Sequence, residues 1–245
     1  MPFVFSTGVI LLVWLLSTAF FGRTLVPLPV DTGVTLGQMA LTVDFWKQIG
    51  ITVFRGGAAL GLTVFIALLT GIPAGLSKKT MDMIAPVVAA LQATPPILWI
   101  TLLMVAVGTG TTVPVMVVVA TVFPMLFMNV SHSVAALDPR YFEMARLYRV
   151  RRVRVLTDII LPGIYPFVLA GLSYALGTCW KVVAVAEFLG SASGIGARIY
   201  WAYRMLDMPE LFAWALVLVG MGVGLEYLLI RPLQSLGEAG RRSRA

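Results

Sequence analysis

Long apolar runs alternate with short polar breaks along this chain. Each run lies close to the ~20 residues that an α-helix needs to cross a bilayer. The runs cover residues 4–21, 49–76, 84–107, 113–130, 162–185 and 211–230. The pattern predicts an all-α integral membrane protein with about six transmembrane helices, because in hydrocarbon only a backbone that satisfies its own hydrogen bonds is tolerated. Composition points the same way. Of 245 residues, 59% are hydrophobic and 12% charged, with a mean hydropathy of +0.94, which excludes a soluble domain.

The breaks carry their own information. No Lys or Arg precedes the first run, and Thr18-Ala-Phe-Phe is a poor cleavage site, so this run reads as a retained span rather than a signal peptide. Residues 22–47 are mixed, with Pro27, Pro29, Asp31, Gly33 and Asp44, and predict a loop containing an interfacial helix over 36–46. In the second run Gly56, Gly57, Gly61, Gly71 and Gly75 are small residues that let helices approach closely. The third is interrupted by Thr94-Pro95-Pro96. Two prolines remove backbone donors, so Pro95 and Pro96 mark either a structural kink or a stretch lining a watery path. Residues 187–208 read as a polar loop rich in Gly and Ser. The single histidine, His132, sits at a helix end as a cap or interfacial residue, with no second imidazole to make a metal site. The single cysteine, Cys179, reads as a helix-packing residue.

Charge then orients the bundle. Lys78, Lys79, Arg140, Arg146, Arg149, Arg151, Arg152, Arg154, Arg231, Arg241, Arg242 and Arg244 fall on one side, and only Arg23, Lys47, Arg55, Arg198 and Arg204 on the other. The positive-inside rule places the richer side, and both termini, in the cytoplasm. The net charge of +7 is thereby topological, with no aromatic-interleaved basic face for nucleic acid. Three ionisable residues remain in or near spans: Lys181, Glu187 and Glu226. A charge at the centre of a transmembrane helix costs ~2.5–3.5 kcal/mol on insertion scales, so it normally faces a partner or a cavity. Either Lys181 pairs with Glu187 or Glu226 or snorkels toward the headgroups, or it draws an anion into a translocation path.

One break differs from the rest. Asp138-Pro139 starts a helix, with Asp accepting orphan N–H bonds and Pro at the first helical position. The helix runs to about Tyr148, and mixes Phe142, Ala145 and Leu147 with Arg140, Glu143 and Arg146, which fits neither a lipid-spanning nor a core helix. The arginines up to Arg154 are topogenic, or they belong to a surface that meets a soluble partner. Glu143-x-Ala145, a gap, then Ile159-x-Leu161-Pro162 resembles the cytoplasmic loop of ABC importer permeases, of general form E-A-A-x-x-x-G-x9-I-x-L-P. Met144 replaces the first Ala and Arg149 the Gly, which in the family sits at a turn where positive φ is cheap only for Gly. Two further stretches resemble the nitrate, sulfonate, taurine and bicarbonate branch of these permeases. They are Ala93-Thr-Pro-Pro-Ile-Leu-Trp, and Ala186-Glu-Phe-Leu-Gly190 with Ser193-Gly-Ile-Gly196.

The resemblance implies a type I ABC importer permease in the bacterial cytoplasmic membrane. Residues 1–48 would form an N-terminal span and extracytoplasmic loop, residues 49–232 the permease core with a coupling loop at 138–160, and residues 233–245 a cytoplasmic tail. Glu143, Ala145, Arg146, Tyr148, Arg149, Arg151, Leu161 and Pro162 would contact ABC ATPase subunits. Lys181, Glu187, Pro95 and Pro96 would line the substrate path. Partners would be two ATPases, an extracytoplasmic substrate-binding protein and a second permease chain. No Walker A sequence is present, so ATP and Mg would belong to the ATPase. The glycines at 190–196 follow no strand and make no dinucleotide fold. The branch suggests a small anion, with cofactor precursors also associated with related permeases. A membrane-embedded enzyme lacks a catalytic constellation here, and a passive channel leaves the central loop unexplained.

Overall fold

The fold is taken from a computed structural model, which describes residues 2–225, 227–228 and 231–232. Glu226, the end of the sixth predicted span and the tail with Arg241, Arg242 and Arg244 lie outside the described residues. Among the described residues every regular element is helical. In order they are α1 (Pro2–Phe21), α2 (Pro29–Ala40), α3 (Val43–Leu76), α4 (Lys78–Ala93), α5 (Pro96–Val107) and α6 (Thr112–Ala135). Then come α7 (Pro139–Leu147), α8 (Arg152–Arg154), a π-helical stretch (Val155–Ile160), α9 (Leu161–Gly190), α10 (Ile195–Met205) and α11 (Met208–Leu225).

The centre is α6, which packs along α3 on one side and α9 on the other. What lets them approach is the choice of small residues. A Cβ on Gly71 would lie 2.9 Å from a Val130 methyl, and one on Gly75 would lie 2.5 Å from the Ser131 carbonyl oxygen. On α9, a Cβ on Gly171 would lie 2.9 Å from the Asn129 side chain. By contrast, nothing lies within 4 Å of a Cβ placed on Gly57 or Gly61. Of the small residues in the second run, the close contacts of this fold fall at its later end.

The inward stripe of α3 is not greasy. Gln48, Thr52, Arg55, Ala59, Thr63, Ala67, Gly71 and Ala74 are buried, while Val53, Phe54, Phe65 and Leu69 are exposed. This reverses a soluble helix, as expected where the solvent is lipid and helices associate through close packing and polar contacts. These contacts fix the directions. Gly75 meets Val134 and Gly163 meets Leu137 at one end, and Gly190 meets Val113 at the other. The first end also carries Lys78, Lys79 and α7, and we call it the loop end.

Four helices are long and apolar enough to span a membrane: Val43–Leu76, Thr112–Ala135, Arg152–Gly190 (α8 to α9) and Met208–Leu225. The pattern-based count of six differs at identifiable places. The third run is no straight span: α4 and α5 meet at 98°, because Pro95 and Pro96 cannot donate to the preceding turn and the residue before a proline is pushed to extended geometry. Thr94 is extended accordingly, with ψ 121°. Of α1, the described apolar part is Gly8–Phe21.

Two loop expectations are corrected. Residues 22–47 hold α2 and the start of α3, separated at Thr42, whose hydroxyl accepts the Phe45 N–H at 3.3 Å and caps α3. Residues 187–208 are largely helical, since α9 runs to Gly190 and α10 starts at Ile195. The fifth span likewise begins before Pro162, in a helix reaching back to Arg152. Its π-helical widening directly precedes Pro162. That residue has no N–H and its ring crowds the carbonyl four residues back, which a wider turn relieves.

Candidate functional site: the loop helix and a buried ion pair

Helix α7 starts as its residues dictate. Asp138 accepts the Arg140 N–H at 2.9 Å and Pro139 occupies the first helical position. It ends in a Schellman motif: Arg149 N–H donates to the Arg146 carbonyl at 3.1 Å, and Val150 N–H to the Ala145 carbonyl at 2.9 Å. Such a motif needs a left-handed residue between the two donors. Here that residue is Arg149, at φ 52°. The turn is therefore made without glycine, at the ~1–2 kcal/mol that a side chain pays in the left-handed region.

Only Ala145 of α7 is buried, and Phe142 is half-buried. Tyr141, Leu147 and Tyr148 are exposed, Leu147 to 81%, leaving an apolar face that no described residue covers. Glu143, Arg146, Arg149 and Arg151 are exposed as well. Leu161 and Pro162 begin α9 and are exposed at the same end. The structure thus collects all eight loop positions at one end of the bundle.

The other candidate residues do not gather. Glu187 is fully buried and ion-paired with Arg55 at 2.9 Å. This corrects the expectation that it pairs with Lys181; Arg55, counted among the charges opposite the loop, is buried at that far end. The carboxylate also accepts the Thr52 hydroxyl at 2.9 Å and the Gly196 N–H at 3.2 Å. The Arg55 guanidinium donates to the Ser193 carbonyl at 2.6 Å, the Ser193 hydroxyl at 2.9 Å and the Thr111 hydroxyl at 3.1 Å. The Ile195 N–H reaches Thr52 Oγ1 at 2.9 Å, and the Gly194 N–H reaches Gln48 Oε1 at 2.7 Å.

The glycines near Glu187 are explained by it. Gly194 stands at φ 99°, and a Cβ there would overlap the Glu187 carboxylate; one on Gly196 would overlap the Ala184 carbonyl. The Ser-Gly-Ile-Gly stretch is thus a cradle that delivers backbone donors to a buried charge. It ties the far ends of α3 and α9, the segment before α6 and the start of α10 into one unit. A buried pair is tolerable only when its remaining valences are satisfied, and here they are. In this conformation Glu187 has no open face toward a solute.

Lys181 is exposed on α9, and no ion-pair partner for it is found among the described residues. Pairing with Glu226 lies outside them. Pro95 and Pro96 are exposed at the α4–α5 bend. Arg55 was missed in the sequence, although a signal existed: Gln48, Thr52 and Arg55 recur at helical spacing on one face of an otherwise apolar run.

A sequence profile decides the family. That of the binding-protein-dependent transport system inner membrane component matches residues 64–231. The chain belongs to this family. Among curated permeases it is 26% identical to the putative aliphatic sulfonates transport permease of Bacillus subtilis, over 81% of this chain and 72% of that protein. It is 24% identical to the nitrate import permease of Synechococcus elongatus over 83% and 77%, and 26% to the taurine transport permease of Escherichia coli over 80% and 71%. Solved structures share the permease fold. A bacterial alginate ABC transporter chain aligns with TM-score 0.63 at 15% identity, covering 93% of this chain and 90% of that one. A methionine ABC transporter chain in an inward-facing conformation aligns at 0.60 and 15% identity, over 77% and 94%. This permease is therefore a multi-pass membrane transport component of type I importer fold.

Proposed function

We propose that this permease is the membrane-crossing subunit of an ATP-driven importer for a small anionic solute of sulfonate, taurine, nitrate or bicarbonate type. The relatives' transported solutes, as their names give them, supply the solute class. The observation carrying the mechanism is α7: a short amphipathic helix held at the bundle's end by Ala145, with Leu147 and Tyr148 exposed.

In this reading the loop end faces the cytoplasm, as do both termini, and α7 seats on a separate ATPase subunit that binds ATP and Mg. Glu143, Arg146, Arg149 and Arg151 supply polar contacts around the apolar face. Two copies of the chain associate, and an extracytoplasmic binding protein delivers the solute at the opposite end. Nucleotide-driven closure of the ATPases pulls on α7. Because the turn at Arg149 joins α7 to α8, which runs through the π-helical stretch into α9, the pull shifts the population between inward- and outward-facing bundles. Lys181 attracts the anion, the α4–α5 bend lines its path, and the Arg55–Glu187 cluster keeps the far end rigid while the loop end moves.

The test combines composition with coupling. Native mass spectrometry of the tagged chain from its own membranes is expected to show two copies with two ATPase subunits. Glu143→Lys should leave the protein inserted while abolishing ATP-dependent anion uptake in vesicles. A chain recovered without ATPase, or unchanged uptake by the variant, overturns the reading.

A further inference from the structure

At the loop end, a groove of about 830 Å³ lies between the last turns of α3 and α6, helix α7 and the π-helical turn. Its floor is apolar, built by Ile72, Leu76, Val134 and Ile160. Its rim carries the guanidinium-bearing Arg146, Arg149 and Arg152 against a single carboxylate, Glu143. None of these three arginines enters an ion pair among the described residues. The exposed apolar side chains of α7, Tyr141, Leu147 and Tyr148, do not line it, so the groove is distinct from that apolar face, although Glu143, Arg146 and Arg149 border both.

We infer that this groove seats an anionic phospholipid, with its phosphodiester on the arginines and the start of an acyl chain on the apolar floor. Three arguments converge on that occupant. The rim has an excess of positive charge, and guanidinium groups bind phosphate oxygens in paired, directional hydrogen bonds. The floor is formed by the loop-end turns of α3 and α6, two helices long and apolar enough to cross a membrane, and in this proposal it lies where headgroups give way to acyl chains. A ligand that is charged at one end and apolar at the other is what such a lining selects, and basic pockets between helix ends recognise anionic headgroups in this way. A soluble anion would leave the floor wet, and an apolar peptide would leave the arginines desolvated and unpaired.

Positions 149 and 152 gain a reason from this. Arg149 holds a left-handed backbone where glycine would be easier, and its side chain lies on the rim. The bound lipid would brace α7 against the bundle, so occupancy would stiffen the link between α7 and the spans.

The full chain in mild detergent can be titrated with phosphatidylglycerol or phosphatidylcholine of identical acyl chains, with retained lipid read by native mass spectrometry. Phosphatidylglycerol should be retained at about tenfold lower concentration, equivalent to ~1.4 kcal/mol. Arg146→Gln with Arg152→Gln should erase that preference while helicity by circular dichroism is unchanged. Leu156→Asp, placing a carboxylate in the same groove, should erase it independently. Lys78→Gln with Lys79→Gln, which removes charge beside the groove but not on its rim, should preserve it. Equal retention of the two lipids, loss of the preference in the lysine variant, or equally tight binding of glycerol 3-phosphate would each overturn the site. Lipid composition is uniform in this assay, so the outcome is independent of chain orientation and of any ATPase.

Discussion

Arg55 and Glu187 are separated by 132 residues in sequence and by 2.9 Å in space, and around them Thr52, Thr111, Ser193 and Gly196 complete every bond of a buried charge pair. Removing one partner leaves the other charged and unpaired in a site with almost no solvent, which typically costs ~3–5 kcal/mol. Arg55→Met and Glu187→Gln should therefore each lower the melting temperature strongly. The double variant should lose clearly less than the sum of the two. Additive losses in thermal denaturation of the lipid-reconstituted protein would mean that the two side chains do not stabilise the far end as a pair.

Glycine positions separate into two classes that sequence alone treats alike. Gly75→Ala pushes a methyl against the Ser131 carbonyl and Val134, and overpacking of this kind costs ~1–3 kcal/mol. Gly61→Ala meets nothing within 4 Å and should be neutral or stabilising by up to ~1 kcal/mol through helix propensity. Paired melting curves of the two variants check this. Equal destabilisation would show that the exposed stripe at Gly61 is covered in the protein as extracted, as a second copy of the chain would do.

The loop was legible because its determinants are local. An Asp-Pro start, an amphipathic turn and a return to apolar sequence are read within some twenty residues, and α7 follows them. The bend at Thr94–Pro96 was legible as a break but not as an angle, since proline fixes what a helix cannot do and packing chooses the direction. The cradle of Glu187 was half legible. Its glycines stand out in sequence, but their reason is a carboxylate brought against them by the fold, and the partner cation arrives from a different helix. Lys181 was the cation nearest in sequence, whereas tertiary structure supplied Arg55, lying on the polar stripe of α3.

Arg149 offers the sharpest separation of backbone from side-chain effects. At φ 52° it closes the Schellman turn of α7 at a cost that glycine largely avoids, although glycine loses more freedom on folding, ~0.5–1 kcal/mol. Arg149→Gly should thus gain roughly 0.5–1 kcal/mol, about 1–4 °C in melting temperature for a chain of this size. Arg149→Val should lose more than that, because a β-branched residue is a genuine outlier in the left-handed region. Differential scanning of the three proteins in a zwitterionic detergent, where no anionic lipid competes for the guanidinium, reads the backbone contribution alone. Repeating the scan with phosphatidylglycerol should narrow or reverse the advantage of the glycine variant, since only the arginine protein gains from the phosphate. An arginine protein that is the more stable of the two even without anionic lipid would mean that its guanidinium makes stabilising contacts within the chain, and that backbone strain is the smaller effect at this turn.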